Sequence, residues 1–572
     1  MIFALVSCGG NEQNEPEEKE LAVSLRVARD ASNDCISISC IAEKIDAIYF
    51  EIKEGENIIK EKSLTIEELG NQTTLTGIKN ATNATLTVKV LQDRTAKNSV
   101  TWQGRATKLH FEKGKTTEVK IQLYPVNKLQ QEASMPQKLN IPRFGHSATV
   151  LSDGRILIAG GFTSCGSNHK CLAEDSVEII DLESGEIEKL EQKMSEPRAL
   201  HKAVLMDDGS VIFIGGVKAL YAAEQTEDEA FEDYPLLPYS FSTTAAVTKI
   251  EKYMPSYPKY NKKLNEPEPE SVTANTTELI KGEDGNTFEA PFKAFQSVFV
   301  DQTAENKIDV FLVGGLDVEE SEDSENSKGK PSNKSYRFSI TNNNGTATAS
   351  AVTNLADSSE PMLLPALAHT NGSILAVGGR PGTSEYAASL ISESSSDNKG
   401  KDSGLNLFFT NNIAVDRNLY TFAGFNAEKI EKEDGDESST IKYSHKILKW
   451  DVFGDAPTHA PQNEKGNEYV VYPGKGEVAF GETVYDEINE RIILIGGTGG
   501  ASNIYQVISS TTLEWYQGYP SHDMKVALIM PKAVVIPARK SPTEQLFIVI
   551  TGGINTIDGT GSATGNVRIN NI

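Results

Sequence analysis

IPRFGHSATVLSDGRILIAGG, residues 141–161, holds in miniature the plan of most of this chain. Ser147–Leu151 is a short, apolar-rich run. Ser152-Asp153-Gly154-Arg155 reads as a hairpin turn, because Asp and Gly tolerate the backbone angles that such a turn needs. Ile156–Ala159 is an unbroken apolar run, the pattern of a strand covered on both faces. Gly160-Gly161 then lets the backbone bend and pack closely where a side chain would clash.

The unit recurs. ILIAGG ends at Gly160-Gly161, VIFIGG at Gly215-Gly216, VFLVGG at Gly314-Gly315 and ILAVGG at Gly378-Gly379. LYTFAG ends at Gly424, with Ala423 in the first glycine's place; IILIGG ends at Gly496-Gly497 and FIVITGG at Gly552-Gly553. Successive copies lie 45 to 99 residues apart, so the wider gaps contain insertions.

The first two copies share a longer motif. Pro142-Arg143-Phe-Gly-His146 precedes Asp153-Gly154, and Pro197-Arg198-Ala-Leu-His201 precedes Asp208-Gly209. With the double glycines, this resembles the kelch family of β-propellers. The resemblance implies an all-β fold in which each copy is one four-stranded blade. Val177–Asp181 fits the third strand of the first blade, Lys446–Trp450 that of the fifth and Ile508–Trp515 that of the sixth, with Trp515 where kelch repeats often keep tryptophan. Blades three, four and seven match only through their first two strands. Seven copies predict a seven-bladed propeller over 126–572; six blades is the alternative if LYTFAG belongs to an insertion. Gly565–Ile569 resembles a third strand of the last blade, and residues 126–138 are expected to supply its outer strand, closing the ring without free edges.

Residues 21–125 alternate in the manner of half-buried strands at Leu21–Val27, Ala47–Ile52, Ala84–Val90, Val100–Trp102 and Thr117–Leu123. This predicts a small Ig-like or fibronectin-like β-sandwich, with a spacer role ahead of the propeller. Ahead of it, Leu5-Val6-Ser7-Cys8 looks like a bacterial lipobox, although the leader 1–8 is short and has no basic residue. The resemblance implies that Cys8 is the lipidated first residue of a mature lipoprotein. Residues 9–20 are polar and acidic, as in a disordered tether. Gly9 stands where inner-membrane lipoproteins often carry aspartate, so the expected location is the bacterial cell envelope, at the outer membrane.

The remaining four cysteines form two close pairs, Cys35/Cys40 and Cys165/Cys171, which in an exported chain favours two local disulfides. Neither pair has the spacing of a zinc site. The 572 residues carry 55 Lys and Arg against 80 Asp and Glu, a net charge of −25, which repels phosphate backbones and disfavours nucleic acid as partner.

The long polar segments follow the glycine pairs: Phe162–Asp175, Val217–Thr244, Leu316–Asn333, Arg380–Ala388, Phe425–Ser444 and Ile554–Gly565. In a propeller these segments share one face, where binding is expected. The acidic run Asp317–Glu325 lacks the spaced ligands of a calcium loop, and Asp558–Asn566 reads as a flexible loop, so neither is taken as a metal site. His146 and His201, beside Arg143 and Arg198, repeat from blade to blade and are read as structural, bonding a neighbouring carbonyl. The other histidines are scattered and form no HExxH or His-x-His cluster. Galactose oxidase-like enzymes share the propeller, but their copper site needs a cysteine crosslinked to tyrosine, and both propeller cysteines here fall in one short loop. Sialic-acid epimerases on kelch scaffolds offer no residue-level match. The expectation is a monomeric binding protein for a protein or glycan, with no cofactor and no metal. The alternative is a carbohydrate-active enzyme, oxidase- or epimerase-like, working at the channel mouth.

Overall fold

The computed structural model describes residues 20–27, 29–30, 45–69, 73–79, 81–96, 99–111, 116–125, 133–134, 138–165, 170–224, 239–243, 246–257, 275–318, 329–343, 345–370, 372–379, 386–401, 411–415, 418–422, 425–431, 437–443, 447–451, 458–459, 481–487, 490–496, 504–509, 522–523, 528–536, 547–555, 562–563 and 567–571. These residues form strands, turns and bends, with no α-helix among them. The chain divides into two units, Met1–Asn127 with Leu182–Gly185, and Lys128–Asp181 with Glu186–Ile572.

The first unit contains a seven-stranded sheet. Its order is Asn57–Leu64, Ala47–Glu54, Ala81–Leu91, Val100–Phe111, Thr116–Pro125, Glu20–Val27 and Thr73–Thr76. Glu20–Val27 runs parallel to Thr116–Pro125, a pairing that links the two ends of this segment. Alternate residues, among them Ile48, Phe50 and Ile52 of one strand and Leu86, Val88 and Val90 of the next, fill one apolar core.

The second unit has a propeller-like arrangement of small sheets. Five are four-stranded and antiparallel on one plan, spanning 147–189, 202–279, 366–401, 411–459 and 482–523. Two others vary it. One sheet has 297–304, 307–313 and 335–343 as its first three strands; the other has 532–536, 547–551 and 567–571. Third strands therefore exist in the copies where the sequence shows only two. Ala133–Ser134 pairs antiparallel with Val567–Asn571, so a segment ahead of the first repeat extends the last sheet. In the 482–523 sheet the third strand is Ile504–Ser509, earlier than the sequence reading placed it, and Trp515 lies outside the described residues. Trp450 ends deeply buried beside Leu419 and Leu375.

The apolar runs are unbroken because each second strand packs on both faces. Val211 and Phe213 meet Leu157, Ala159 and Val177 of the preceding sheet. Ile212 and Ile214 meet Ile308, Val310 and Leu312 of the following one. Phe311 and Val313 then meet Ile374 and Ala376, and Leu375 and Val377 continue towards Leu419. Each such side chain contributes about 1.5–3 kcal/mol on burial. The first strands adjoin in succession: 147–150 touches both 202–205 and 532–536, 366–370 touches 297–304 and 411–415, and 482–486 touches 411–415 and 532–536.

The glycine pairs end the second strands with positive φ at Gly160, Gly161, Gly215, Gly216, Gly314, Gly315, Gly378, Gly379, Gly496, Gly552 and Gly553. Gly424 and Gly497 lie outside the described residues. Space is the stricter requirement. A Cβ on Gly160 would stand 2.2 Å from the Arg198 carbonyl oxygen, and one on Gly552 would stand 2.2 Å from that of Arg143. The turn glycine Gly154, at φ +91°, has nothing within 4 Å. We therefore expect Gly552→Ala to destabilise the fold by at least ~3 kcal/mol, against about 1 kcal/mol for Gly154→Ala. Urea unfolding of the two variants measures the difference.

Candidate functional site

The end of the molecule where second strands finish and first strands begin is built by the glycine pairs and the segments facing them. Gly161 N–H donates to the Arg198 carbonyl at 2.9 Å, Gly315 N–H to that of Met362 at 2.8 Å and Gly553 N–H to that of Arg143 at 2.8 Å. In each case the acceptor belongs to the next sheet of the ring. The residue two places ahead of the first strand has positive φ in five copies: Gly145, Leu200, Phe295, Leu364 and Met530. These residues touch through their backbones: Leu200 N–H donates to Gly145 O at 2.7 Å, Gly145 N–H to Met530 O at 3.4 Å and Leu364 N–H to Phe295 O at 3.1 Å. Four side-chain-bearing residues thus hold a conformation that costs roughly 1–2 kcal/mol each. The sequence hides this position, since it takes Gly, Leu, Phe, Leu and Met in turn.

Arg143 is fully buried and bonds within its own sheet. Its Nη1 donates to Gly160 O at 2.7 Å, and its Nη2 to Ser176 Oγ at 3.1 Å and Glu178 Oε1 at 2.6 Å. Glu178 also accepts the backbone N–H groups of Asn140 and Ile141, at 2.6 and 3.1 Å. The second copy repeats the plan more loosely. Arg198 Nη1 donates to Gly215 O at 3.1 Å, and Nη2 lies 3.7 Å from Glu251 Oε1. Ser195 N–H donates to Glu251 Oε2 at 2.7 Å.

The two repeated histidines reach across to the neighbouring sheet. Their partners are hydroxyls and not the carbonyls that the sequence reading proposed. His146 Nε2 lies 2.8 Å from Thr551 Oγ1, and His201 Nε2 lies 2.9 Å from Ser147 Oγ. A hydroxyl can serve either as donor or as acceptor, so it suits a neutral imidazole. Burial holds both histidines well below the ordinary range, and the positive charges of nearby Arg143 or Arg198 and of Lys532 push the same way.

Beside them stand three charged residues that the sequence reading did not single out. Lys202, Glu482 and Lys532 each open a first strand. Lys532 Nζ pairs with Glu482 Oε2 at 2.8 Å. Lys202 is open to solvent, yet enclosure by protein lowers its pKa, with the charge of Lys532 adding to the effect and that of Glu482 opposing it. All three residues stand where first strands begin, at the opening that those strands surround.

The insertions above this opening are strands rather than plain loops. Phe162–Cys165 pairs with Lys170–Ala173, Ala219–Glu224 with Tyr239–Thr243, Leu316–Val318 with Gly329–Pro331, Phe425–Glu431 with Glu437–Tyr443 and Ile554–Asn555 with Ser562–Ala563. The first two hairpins join into one four-stranded sheet through Lys170–Leu172 and Ala219–Tyr221. Cys165 and Cys171 are Cα partners across the first hairpin. Cys8, Cys35 and Cys40 lie outside the described residues, and among those described no group of three or more His, Cys, Asp or Glu is placed to hold a metal ion. At the other end of the first strands His369 Nδ1 meets Asp301 Oδ2 at 2.7 Å.

No protein-family model matches this chain, and no curated protein matches it. Among solved structures, that of YjhT is similar over 72% of this chain and 99% of its own, with 12% identity and a TM-score of 0.35.

Two outcomes follow from the buried charges. The folded protein keeps His146 and His201 neutral, whereas the unfolded chain protonates them near pH 6.5. The unfolded state then binds more protons, so stability rises with pH and falls between about pH 7 and pH 5 by roughly 1.4 kcal/mol per unit for each histidine. Denaturant midpoints across that range should flatten in a His146→Gln, His201→Gln double variant. Arg143→Met leaves Glu178 buried without its cation and should cost about 3–5 kcal/mol, read by the same unfolding experiment.

Proposed function

We propose that this chain is a lipoprotein of the bacterial cell envelope, tethered through Cys8 at the outer membrane, whose kelch-type propeller binds a protein or glycan. The observation that carries this reading is the set of hairpins inserted after the glycine pairs, all at one end of the blades. Paired strands hold a surface in one shape where free loops would lose entropy on binding. The reading has seven blades. The first strands adjoining in succession, and the hydrogen bond from Gly553 to Arg143 that joins the last copy to the first, support that count. The N-terminal unit acts as an Ig-like spacer. Disulfides Cys35–Cys40 and Cys165–Cys171 brace loops, the second supported by the facing register of its cysteines across the first hairpin. The protein acts as a monomer, and its net charge of −25 disfavours nucleic acid.

A second reading, a carbohydrate-active enzyme, is favoured by one observation: Lys202, Glu482 and Lys532 each begin a first strand of the ring, and Lys532 and Glu482 pair there. It would require an acid and a base that reach a substrate, whereas both histidines are buried and hydrogen-bonded between sheets.

Glycan-array and pull-down screens of the full chain test the binding reading. We expect a specific ligand, lost when residues 220–242 are replaced by a short Gly-Ser turn while the melting temperature holds. Capture unaffected by that trimming, or sugar turnover with no retained ligand, counts against it. Cys8→Ser is expected to move the protein from the membrane pellet to the soluble fraction.

A further inference from the structure

The starts of the first strands gather charge where the composition of the chain does not lead one to expect it. The protein carries a net −25, yet three first strands of the ring begin with two ammonium groups and one carboxylate, Lys202, Lys532 and Glu482. Glu482 is committed to Lys532 at 2.8 Å. Among the described residues no carboxylate lies within ion-pair distance of Lys202. The equivalent first residues of other strands bring no compensation: Ser147 Oγ is engaged by His201, Ser297 Oγ donates to Pro365 O at 2.6 Å, and Ala366 is apolar. Arg143 and Arg198 lie behind, each fully buried and turned towards its own sheet's carboxylate, Glu178 or Glu251.

We propose that Lys202 and Lys532 form a binding site, in the opening that the first strands surround, for the oxyanion of a small ligand: a carboxylate or a phosphate. Lys202 and Lys532 begin the two first strands that flank 147–150, with Leu200 and Met530 both bonded to Gly145, so their charges repel across that strand, and Glu482 offsets only one of them. An oxyanion between them relieves that repulsion and accepts charge-assisted hydrogen bonds from both. The enclosure that disfavours the unpaired Lys202 ammonium strengthens its attraction to an anion, because the intervening medium screens less than bulk water. Ligand size follows from the surroundings. Leu200 and Met530, two residues ahead of the lysines, both hydrogen-bond Gly145, which keeps those strand starts close together, and the net negative charge repels large polyanions. This site goes beyond the hairpin surface and does not require that the hairpins bind anything.

The test is calorimetric titration of the full chain at constant ionic strength with two probes, galacturonate and inorganic phosphate. Saturable binding of either supports the site, and the probe that binds tells a carboxylate ligand from a phosphate one. Lys202→Met should weaken binding about tenfold or more, and Glu482→Gln, which frees Lys532, should tighten it severalfold. The opposite signs separate a binding role from a general loss of structure. The variant trimmed at residues 220–242 should bind the anion as the parent does. Absence of saturable binding with both probes, binding insensitive to both substitutions, or loss of anion binding on trimming the hairpin overturns the proposal.

Discussion

The second unit depends on one close approach, the passage of a glycine pair over a backbone carbonyl of the neighbouring sheet. Gly160 and Gly552 leave no room for a β-carbon against Arg198 and Arg143, and the next residue in each pair donates its N–H to the same carbonyl. The contact therefore does two things at once. It terminates the second strand, and it sets the distance between adjacent sheets at which alternate side chains of both can interdigitate. Where one contact is replaced, the replacement is apolar: Gly215 packs against the ring of Phe292.

Around this contact the polar groups divide the work. Arg143 and Arg198 tie each incoming segment to the third strand of its own sheet through a buried carboxylate. His146 and His201 tie it to the preceding sheet through a hydroxyl. An arginine suits the first task because its fork satisfies several acceptors at once, including carbonyls that strand ends leave unpaired. A neutral histidine suits the second because it adds no charge beside a buried guanidinium. Lys202 and Lys532 obey neither rule, since Lys532 pairs with Glu482 at the start of the adjoining first strand and Lys202 is exposed. That difference is what separates the framework residues from the candidate binding ones.

Much of the fold could be read from the residues. The runs ending in double glycine do form second strands, Val177–Asp181 and the region of Trp450 do form third strands, and a segment just ahead of the first repeat does pair with the last sheet. These features were legible because burial on both faces writes itself as consecutive apolar residues, and because positions such as Gly160 and Gly552 have no room for a β-carbon. The candidate site was legible only in outline. The insertions announced themselves by length and polarity, but the joining of the first two hairpins into one sheet depends on partners that lie far along the chain, as when Cys171 pairs with Leu220. The left-handed position ahead of the first strand escaped notice because neighbouring sheets hold it by backbone hydrogen bonds, which place no demand on residue type.

The amino-acid sequence by itself determined the repeating unit, its two-sided burial and the places where the backbone must bend, since each is a local consequence of side-chain size and polarity. The tertiary structure alone decided which of the many lysines and glutamates face one another. Lys202 lies hundreds of residues from Glu482 and Lys532, which are themselves 50 apart, yet each opens a first strand, and the ring brings those openings together. Electrostatic interaction depends on distance through space, and a linear sequence does not record that distance.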